Sequence, residues 1–336
     1  MYRKRVILFV VSILLLASLF YTIDYNEFFR VASKLSLHWI AYLLLLQAAI
    51  LFLTALKWYV IIKRYAVSFW HVFNASLISQ LVSNVTPMNL AGGEIIRAYA
   101  ISKIDRIKME AALATVIVDL FVTILPLLFL DLVSIILIFK YNFDLRIAWI
   151  LGIVGVVILA LMAASMGIVM RRGPSLMLFN RLLDLFGRVG FLRRHVKKIE
   201  SRVDELFSSF HHSIRTTMTD LPTLTSGTLI SASIWVSSIL RLYLIFMALG
   251  VPVKFDEVVI VYTVLIMVSI FSLLPGALGI WEWVGSGMFA LFGIPLEAAA
   301  AAVIIDRILF YWIPMFTGFL ASLHVGLNIM KLVDKD

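Results

Sequence analysis

The chain has 336 residues, of which 62% are hydrophobic and only 15% are charged. This composition excludes an ordinary soluble protein, and apolar runs of about 18 to 29 residues indicate a polytopic membrane protein. The net charge of +9 does not predict nucleic-acid binding, because the basic residues lie in short loops between apolar runs. The chain has no cysteine and no HExxH motif, so we expect no disulfide, metal or cofactor.

Six apolar segments are long enough to cross a membrane as helices. The first follows a basic stretch, but its length and the lack of a small-residue cleavage site distinguish it from a signal peptide. The sequence therefore predicts an all-α protein with about six spanning helices. They cover residues 6–23, 39–62, 111–139, 147–170, 224–249 and 298–324.

Two further apolar segments, residues 69–102 and 258–292, are each interrupted by proline and glycine. Irregular backbone at membrane depth is tolerated only where protein or a water-filled cavity surrounds it. We therefore interpret both segments as re-entrant helical hairpins whose tips are natural places for a site. The breaking residues are Pro87, Gly92 and Gly93 in the first hairpin and Pro275, Gly276 and Gly279 in the second.

Sorting Lys and Arg by side predicts the topology. If both hairpins return to the side of entry, most basic residues lie on the side of both termini, which is then the cytoplasmic face of the cell membrane. The chain is predicted to be a single transmembrane domain. Its parts are a first span and outer loop (1–37), repeat 1 (38–139), a connecting span (140–170), a cytoplasmic linker (171–221), repeat 2 (222–325) and a tail (326–336).

The linker has apolar residues at helical spacing together with a group of basic residues. This pattern predicts amphipathic helices that contact anionic lipid headgroups at the inner surface. The alternative is a solvated connection between two halves of the protein. The basic residues are Arg188, Arg193, Arg194, Lys197 and Lys198.

An ordered motif occurs twice and indicates an internal repeat. Each copy has a proline–glycine break, an acid (Glu94 or Glu282), a Glu-Ala-Ala sequence, and a Val-Ile-x-Asp sequence that ends at Asp119 or Asp306. The predicted topology places the two copies in opposite orientations. Inverted repeats with broken helices are typical of secondary transporters, in which the two halves exchange conformations around one site.

Ionisable residues at membrane depth need a partner or water, because an isolated charge there is costly. One interpretation of the two helix-start acids is that they cap free backbone N–H groups. The other is that the two helix starts and nearby arginines hold a lipid phosphate. Asp119 and Asp306 are candidates for interhelical salt bridges between the repeats or for proton coupling. The substrate-binding candidates are Asn84, Pro87, Gly92, Gly93, Glu94, Arg97, Arg241, Pro275, Gly276, Gly279, Glu282 and Arg307.

Four motifs, spread over nearly the whole chain, resemble the lysylphosphatidylglycerol synthase transmembrane (flippase-like) family. They are SNVTP at 83–87, GGEIIRAY at 92–99, LPGALGIWE at 274–282 and DRILFY at 306–311. That family includes the membrane half of multiple peptide resistance factors, implicated in flipping aminoacylated phosphatidylglycerol, and archaeal relatives linked to dolichol-phosphate-sugar pathways. The resemblance implies a flippase without lipid aminoacylation, because no aminoacyltransferase domain follows.

The second motif departs from the family pattern at Ala277 and Trp281, where glycine and arginine are usual. The positive charge of the site is then left to Arg97, Arg241 and Arg307.

The sequence therefore predicts a lipid flippase or secondary transporter for a polar-headed, anionic or phosphate-linked lipid of the phospholipid or polyprenyl-phosphate type. The alternative is an intramembrane lipid-modifying enzyme, such as a polyprenyl-phosphate-dependent glycosyltransferase, or a membrane subunit of such a pathway. We expect no enzymatic activity, because the outer loops lack a DxD motif. The chain also lacks a GxxxxGK[ST] motif, so an ion gradient, substrate consumption or passive equilibration must supply any energy.

Overall fold

A computed structural model describes residues 2–86, 92–141, 145–171, 173, 176–177 and 203–333, and the regular structure in these ranges is entirely helical. The first half contains α1 (Tyr2–Thr22), α2 (Tyr25–Ala32), α3 (Leu37–Ile62), α4 (Phe69–Val85), α5 (Gly92–Ile104), α6 (Met109–Lys140) and α7 (Leu145–Met170). The second half contains α8 (Val203–Met218), α9 (Leu221–Ala248), α10 (Phe255–Phe271), α11 (Ile280–Leu291), α12 (Leu296–Arg307) and α13 (Ile313–Val333). A π-helical turn, Ile308–Trp312, joins α12 to α13.

Five of the described helical segments are long and apolar enough to cross a membrane, namely Leu37–Tyr65, α6, α7, α9 and Leu296–Gly326. A sixth candidate span combines Leu8–Thr22 with α2, and these two helices are bent by 94°. The bend coincides with a helix start, because the Asp24 side chain accepts a hydrogen bond of 2.8 Å from the backbone of Asn26. All six apolar segments predicted from the sequence thus form helices.

Each half contains two short helices on either side of a break. In the first half α4 ends at Val85 and α5 begins at Gly92, and in the second half α10 ends at Phe271 and α11 begins at Ile280. The short helices of each half pack against each other and against the spans before and after them. The same set of contacts occurs in both halves: α3–α4, α4–α5, α5–α6 and α3–α6 in the first, and α9–α10, α10–α11, α11–α12 and α9–α12 in the second.

The outer ends of each short-helix pair lie side by side. His71, near the start of α4, forms a hydrogen bond of 2.7 Å with Asp105, which follows α5. In the second half, Val251–Glu257 and Phe292–Pro295 contribute residues to the walls of one cavity of about 420 Å³. In each half the two outer ends of the short-helix pair therefore lie close together.

The two halves are joined by reciprocal packing. Helix α4 of the first half packs on α13 of the second, where Gly318 lies against the backbone of Leu77. Helix α10 of the second half packs on α6 of the first, and the Ser134 hydroxyl donates a 2.8 Å hydrogen bond to the Thr263 hydroxyl. The spans α3 and α9 also pack together directly.

Of the predicted amphipathic linker, the structure describes residues 171, 173 and 176–177 and the part from residue 203 onward. Helix α8 buries Phe207 and Ile214, and Ile214 packs with Ala114 and Val118 of α6. The rest of the predicted lipid-contacting segment lies outside the described residues, including Arg188, Arg193, Arg194, Lys197 and Lys198.

Candidate functional site

The ionisable residues predicted for the site form two buried groups, one in each half. In the first half, the Asp119 carboxylate of α6 lies 3.1 Å from Lys57 Nζ of α3 and 2.8 Å from Arg97 Nη2 of α5. Arg97 also pairs with Glu94, which lies three residues earlier on the same helix. The guanidinium lies 4.7 Å from the ring centre of Trp58. We call Lys57, Glu94, Arg97 and Asp119 the first ion group.

The second ion group consists of Arg241, Glu282, Asp306 and Arg307. Like the first, it has two positive and two negative residues. The Asp306 carboxylate of α12 accepts a hydrogen bond of 2.7 Å from Arg241 Nε of α9. Beside it, Arg307 Nε lies 3.1 Å from a carboxylate oxygen of Glu282. Glu282 also accepts a 2.7 Å hydrogen bond from the backbone N–H of Gly279. It therefore caps α11, as one interpretation of the sequence proposed, and forms an ion pair at the same time.

The salt bridges predicted for Asp119 and Asp306 are present, but each joins helices of a single half rather than the two halves. The three arginines proposed for one anion site are divided between the two groups. Gln47 Oε1 accepts a 2.7 Å bond from Arg241 Nη1, and Gln47 precedes Lys57 by ten residues on α3. About 15 Å of helix therefore separates the points at which α3 contacts the two ion groups.

Two positive and two negative residues balance in each group. Neither group has a net charge with which to attract an anion. Any recognition of a headgroup therefore has to use hydrogen-bond donors that the ion pairs leave free.

The breaks of the two halves meet at Tyr311, which lies in the π-helical turn. Its hydroxyl donates a 3.1 Å hydrogen bond to the backbone oxygen of Asn84, and its ring lies against Gly276. Gly276 has a φ of 55°, and a side chain there would overlap the tyrosine ring. Arg307 donates to the Gly276 carbonyl and lies 4.3 Å from the centre of the Tyr311 ring. The end of α4 and the Pro275–Ala277 turn are thus in direct contact.

Three of the remaining candidates serve close packing of helices. Gly93 lies against the backbone oxygen of Ser79, which lets α5 approach α4 closely. Gly92 lies beside Thr86, and Gly279 lies beside Leu15 of α1. Pro275 begins the turn between α10 and α11, and Pro87 lies outside the described residues.

A cavity of about 210 Å³ lies between the halves, beside the second ion group. Arg241 and Trp281 are only 1% and 3% exposed, yet Arg241 Nη2 and the Trp281 indole nitrogen have no hydrogen-bond partner among the described residues. Both atoms are obligate donors. A buried donor without an acceptor costs about 1–3 kcal/mol. The cavity therefore favours an occupant rich in acceptor oxygens. Its walls include Gln47, Gln80, Arg241, Tyr262, Trp281 and Phe310.

Several residues of these sites were not assigned a role by sequence. Lys57 stands out only as a basic residue within a span, and Gln47 as a polar one. Trp281 and Tyr311 lie within two of the four motifs, but the motifs alone do not predict a role for either side chain. The described residues contain no group of three or more His, Asp or Glu placed to hold a metal ion.

Comparison with known proteins places the chain in a family. A family model described as "Lysylphosphatidylglycerol synthase TM region" matches residues 5–318. A UPF0104 membrane protein of Methanothermobacter thermautotrophicus is 28% identical over 341 residues, which cover 100% of both chains. A UPF0104 membrane protein of Methanocaldococcus jannaschii is 24% identical over 98% of this chain and 97% of its own. One of Pyrococcus horikoshii is 25% identical over 94% of this chain and 95% of its own.

These matches cover nearly all of the segments described above, including both breaks and both ion groups. The chain therefore belongs to the lysylphosphatidylglycerol synthase TM region family of multi-pass membrane proteins, as its four motifs indicated.

Proposed function

We propose that the protein is a lipid flippase or secondary transporter that moves a phosphate-linked lipid between the leaflets of the membrane. The observation that carries this proposal is the cavity between the halves, with its two buried donors that lack acceptors. In the proposed mechanism the headgroup enters this cavity while the lipid tails stay in the bilayer. No covalent step is involved.

The chemistry of the cavity favours a phosphate group. Phosphate oxygens accept several hydrogen bonds, and a guanidinium presents its N–H groups in a geometry that fits them. Arg241 is already neutralised by Asp306, so we expect recognition through hydrogen bonds rather than through net charge. A volume of about 210 Å³ is suited to a headgroup but not to acyl or polyprenyl chains.

We further propose that the halves are inverted repeats and that α4–α5 and α10–α11 are re-entrant hairpins. The matched helix contacts and the matched charge balance of the ion groups support a repeat. The adjacent outer ends of each short-helix pair support hairpins that return to the side of entry. With both termini in the cytoplasm, exchange of the two conformations would open the cavity to either leaflet in turn.

The transport proposal is tested by removing one indole N–H. Trp281→Phe keeps an aromatic ring beside Tyr262 and Phe310 but removes the free donor from the cavity. In vesicles that contain the purified protein and fluorescent phosphatidylglycerol, we expect this variant to slow movement between leaflets by about tenfold, the equivalent of one hydrogen bond to a charged group.

Trp283→Phe is the matched control. Its indole nitrogen donates to the Leu15 carbonyl of α1 at 2.9 Å rather than facing the cavity, so its removal should leave the transport rate within about twofold of the wild type. Equal rates in the wild type and Trp281→Phe would remove the cavity from the mechanism. Wild-type protein that moves neither this lipid nor a polyprenyl phosphate would overturn the proposed function.

The hairpins are tested by cysteine labelling, for which the chain is well suited because it contains no cysteine. Lys63→Cys and Lys103→Cys flank the first hairpin, and Lys254→Cys and Leu291→Cys flank the second. We expect a membrane-impermeant thiol reagent to label the first two only from the cytoplasmic side and the last two only from outside. Labelling of one pair from opposite sides would contradict a re-entrant hairpin and indicate a full span.

A further inference from the structure

Helix α6 contains a second buried acid that belongs to neither ion group. Asp131 lies twelve residues after Asp119 and its side chain is within the transmembrane part of the helix, with the residue only 4% exposed. Among the described residues its Oδ1 atom has no hydrogen-bond partner, and none of them forms an ion pair with it. Within this part of the chain Asp119 contacts two cations and Asp131 contacts none.

The space for this carboxylate is made by a glycine. The Oδ2 atom lies against Gly155 of α7, where any side chain would overlap it. Ser134, one turn further along α6, donates its hydroxyl proton to Thr263 of α10 and so does not supply it to Asp131. The carboxylate is thus enclosed between α6 and α7 without a donor from its neighbours.

Around Asp131, α6 is packed by α7 and α10, whereas α3, α5, α8 and α9 contact its first half. Several ionisable residues on α6 and on these neighbouring helices have charged partners among the described residues. In each case the partner is a residue other than Asp131. Lys57 and Arg97 bind Asp119, Arg241 binds Asp306, Lys140 lies near Asp256, and Glu257 lies near Lys254. Arg146 on α7 also has an interaction, and Tyr262 on α10 lies near Ser238 and Arg241.

We propose that Asp131 is a proton-binding site through which the protein couples lipid movement to a proton gradient. An ionised carboxylate in this position has no compensating charge, so proton binding relieves the cost of its burial. The step forms one O–H bond on a carboxylate oxygen with a proton from water on one side of the membrane. The same bond breaks when movement of α6 against α7 exposes the group to the other side.

The surroundings favour a proton over a metal cation. A metal ion needs several oxygen ligands, whereas the described residues contain no group of three or more His, Asp or Glu that could hold one. The Ser134 hydroxyl, one turn along α6, binds Thr263 instead. Acidic residues inside the membrane are rare and commonly mark proton relays in pumps and transporters. The inference rests on the proposed transport function, since it concerns the energy source of that transport.

The test uses purified protein in vesicles with fluorescent phosphatidylglycerol and an imposed gradient of one pH unit. Coupling of one proton to one lipid allows up to about a tenfold difference in probe between the leaflets. We expect the wild type to approach this ratio and Asp131→Asn, which cannot bind a proton there, to move the probe to equal amounts in both leaflets. Ser134→Ala, which removes a hydroxyl from the same interface, should keep the gradient response.

The outcomes separate this inference from the proposed function. Wild-type movement of lipid that ignores the gradient overturns proton coupling and leaves the transport proposal intact. If the wild type moves no lipid, infrared difference spectroscopy of the purified protein still tests whether Asp131 binds a proton. A protonated-carboxyl absorption that titrates with pH, is absent in Asp131→Asn and is shifted in Asp131→Glu supports a proton site. The absence of such an absorption in the wild type overturns it.

Discussion

The two ion groups have the same charge balance, but one cation of each lies at a different position in its half. Besides Lys57, the first ion group contains the cation Arg97, which lies on the short helix α5 three residues after Glu94. Besides Arg241, the second ion group contains the cation Arg307, which lies on the span α12 beside Asp306. In both halves a neutral set of charges thus joins a short helix to its spans, although the arginine lies on the short helix in one half and on a span in the other.

The two groups also differ in how completely they are enclosed. The Glu94 side chain is 23% exposed, whereas that of Glu282 is 3% exposed. Moreover, the donor-lined cavity borders only the second group, through Arg241. Under the proposed function, the first group mainly holds helices together, while the second combines that role with the proposed binding surface.

Asp306→Asn should have the largest effect on stability. It leaves the fully buried Arg241 without its counter-charge, which costs about 3–5 kcal/mol for a buried pair. Thermal unfolding of the detergent-solubilised variant should show a large decrease in melting temperature. The double variant Arg241→Gln with Asp306→Asn should recover part of the loss, and an equal or greater loss would refute the importance of the pair.

Lys57→Met should have a smaller effect than Arg241→Met, although the two positions are counterparts. Asp119 keeps Arg97 at 2.8 Å when Lys57 is removed, and the hydrogen bond from Lys57 to Thr123 is lost. We therefore expect a loss of about 1.5–3 kcal/mol, the value of one charged hydrogen bond. Comparison of the two variants by urea or thermal unfolding measures the difference between the groups directly. Equal losses of stability would mean that Arg97 does not compensate for the removal of Lys57 beside Asp119.

Tyr311→Phe should cost about 1 kcal/mol, because it removes the hydrogen bond to Asn84 but keeps the ring against Gly276. The measurement is again thermal unfolding, with Tyr243→Phe as a control for loss of a tyrosine hydroxyl elsewhere on the helices. If both variants lose the same stability, the contact between the two breaks contributes nothing specific.

The smallest effect concerns the surface pair that joins the spans α3 and α9. Hydrogen bonds from Thr223 and the nearby Arg64 guanidinium lower the pKa of Asp220. Because the folded pKa lies below the unfolded value of about 3.9, this stabilisation is present above that pH and is lost as the pH falls through the folded pKa. Asp220→Asn should reduce stability slightly at pH 7 and flatten its fall at acid pH. An unchanged acid profile would show that the pair is inert.

The helices and their breaks could be predicted from the sequence because both depend on local properties. An apolar run of sufficient length forms a helix in a membrane, and Pro275 with Gly276 interrupts one wherever it occurs. The partners of the buried charges could not be predicted in this way. Whether Arg97 meets Asp119 or shares a site with Arg241 depends on which helix faces meet, and that follows only from packing. Asp131 was missed because a single acid in an apolar span carries no motif.

The π-helical turn has a consequence for how the halves diverged. Asp119 and Pro126 are seven residues apart, whereas Asp306 and Pro314 are eight apart, and Ile308–Trp312 lies within the longer interval. A π turn closes with one residue more than an α turn, since Ile313 N–H bonds to the oxygen of Ile308. In the proposed repeat, the second half has thus absorbed a single extra residue without changing the phase of the helix beyond it. Tyr311, which contacts both breaks, lies within this π turn, so one added residue is enough to make two similar halves unequal.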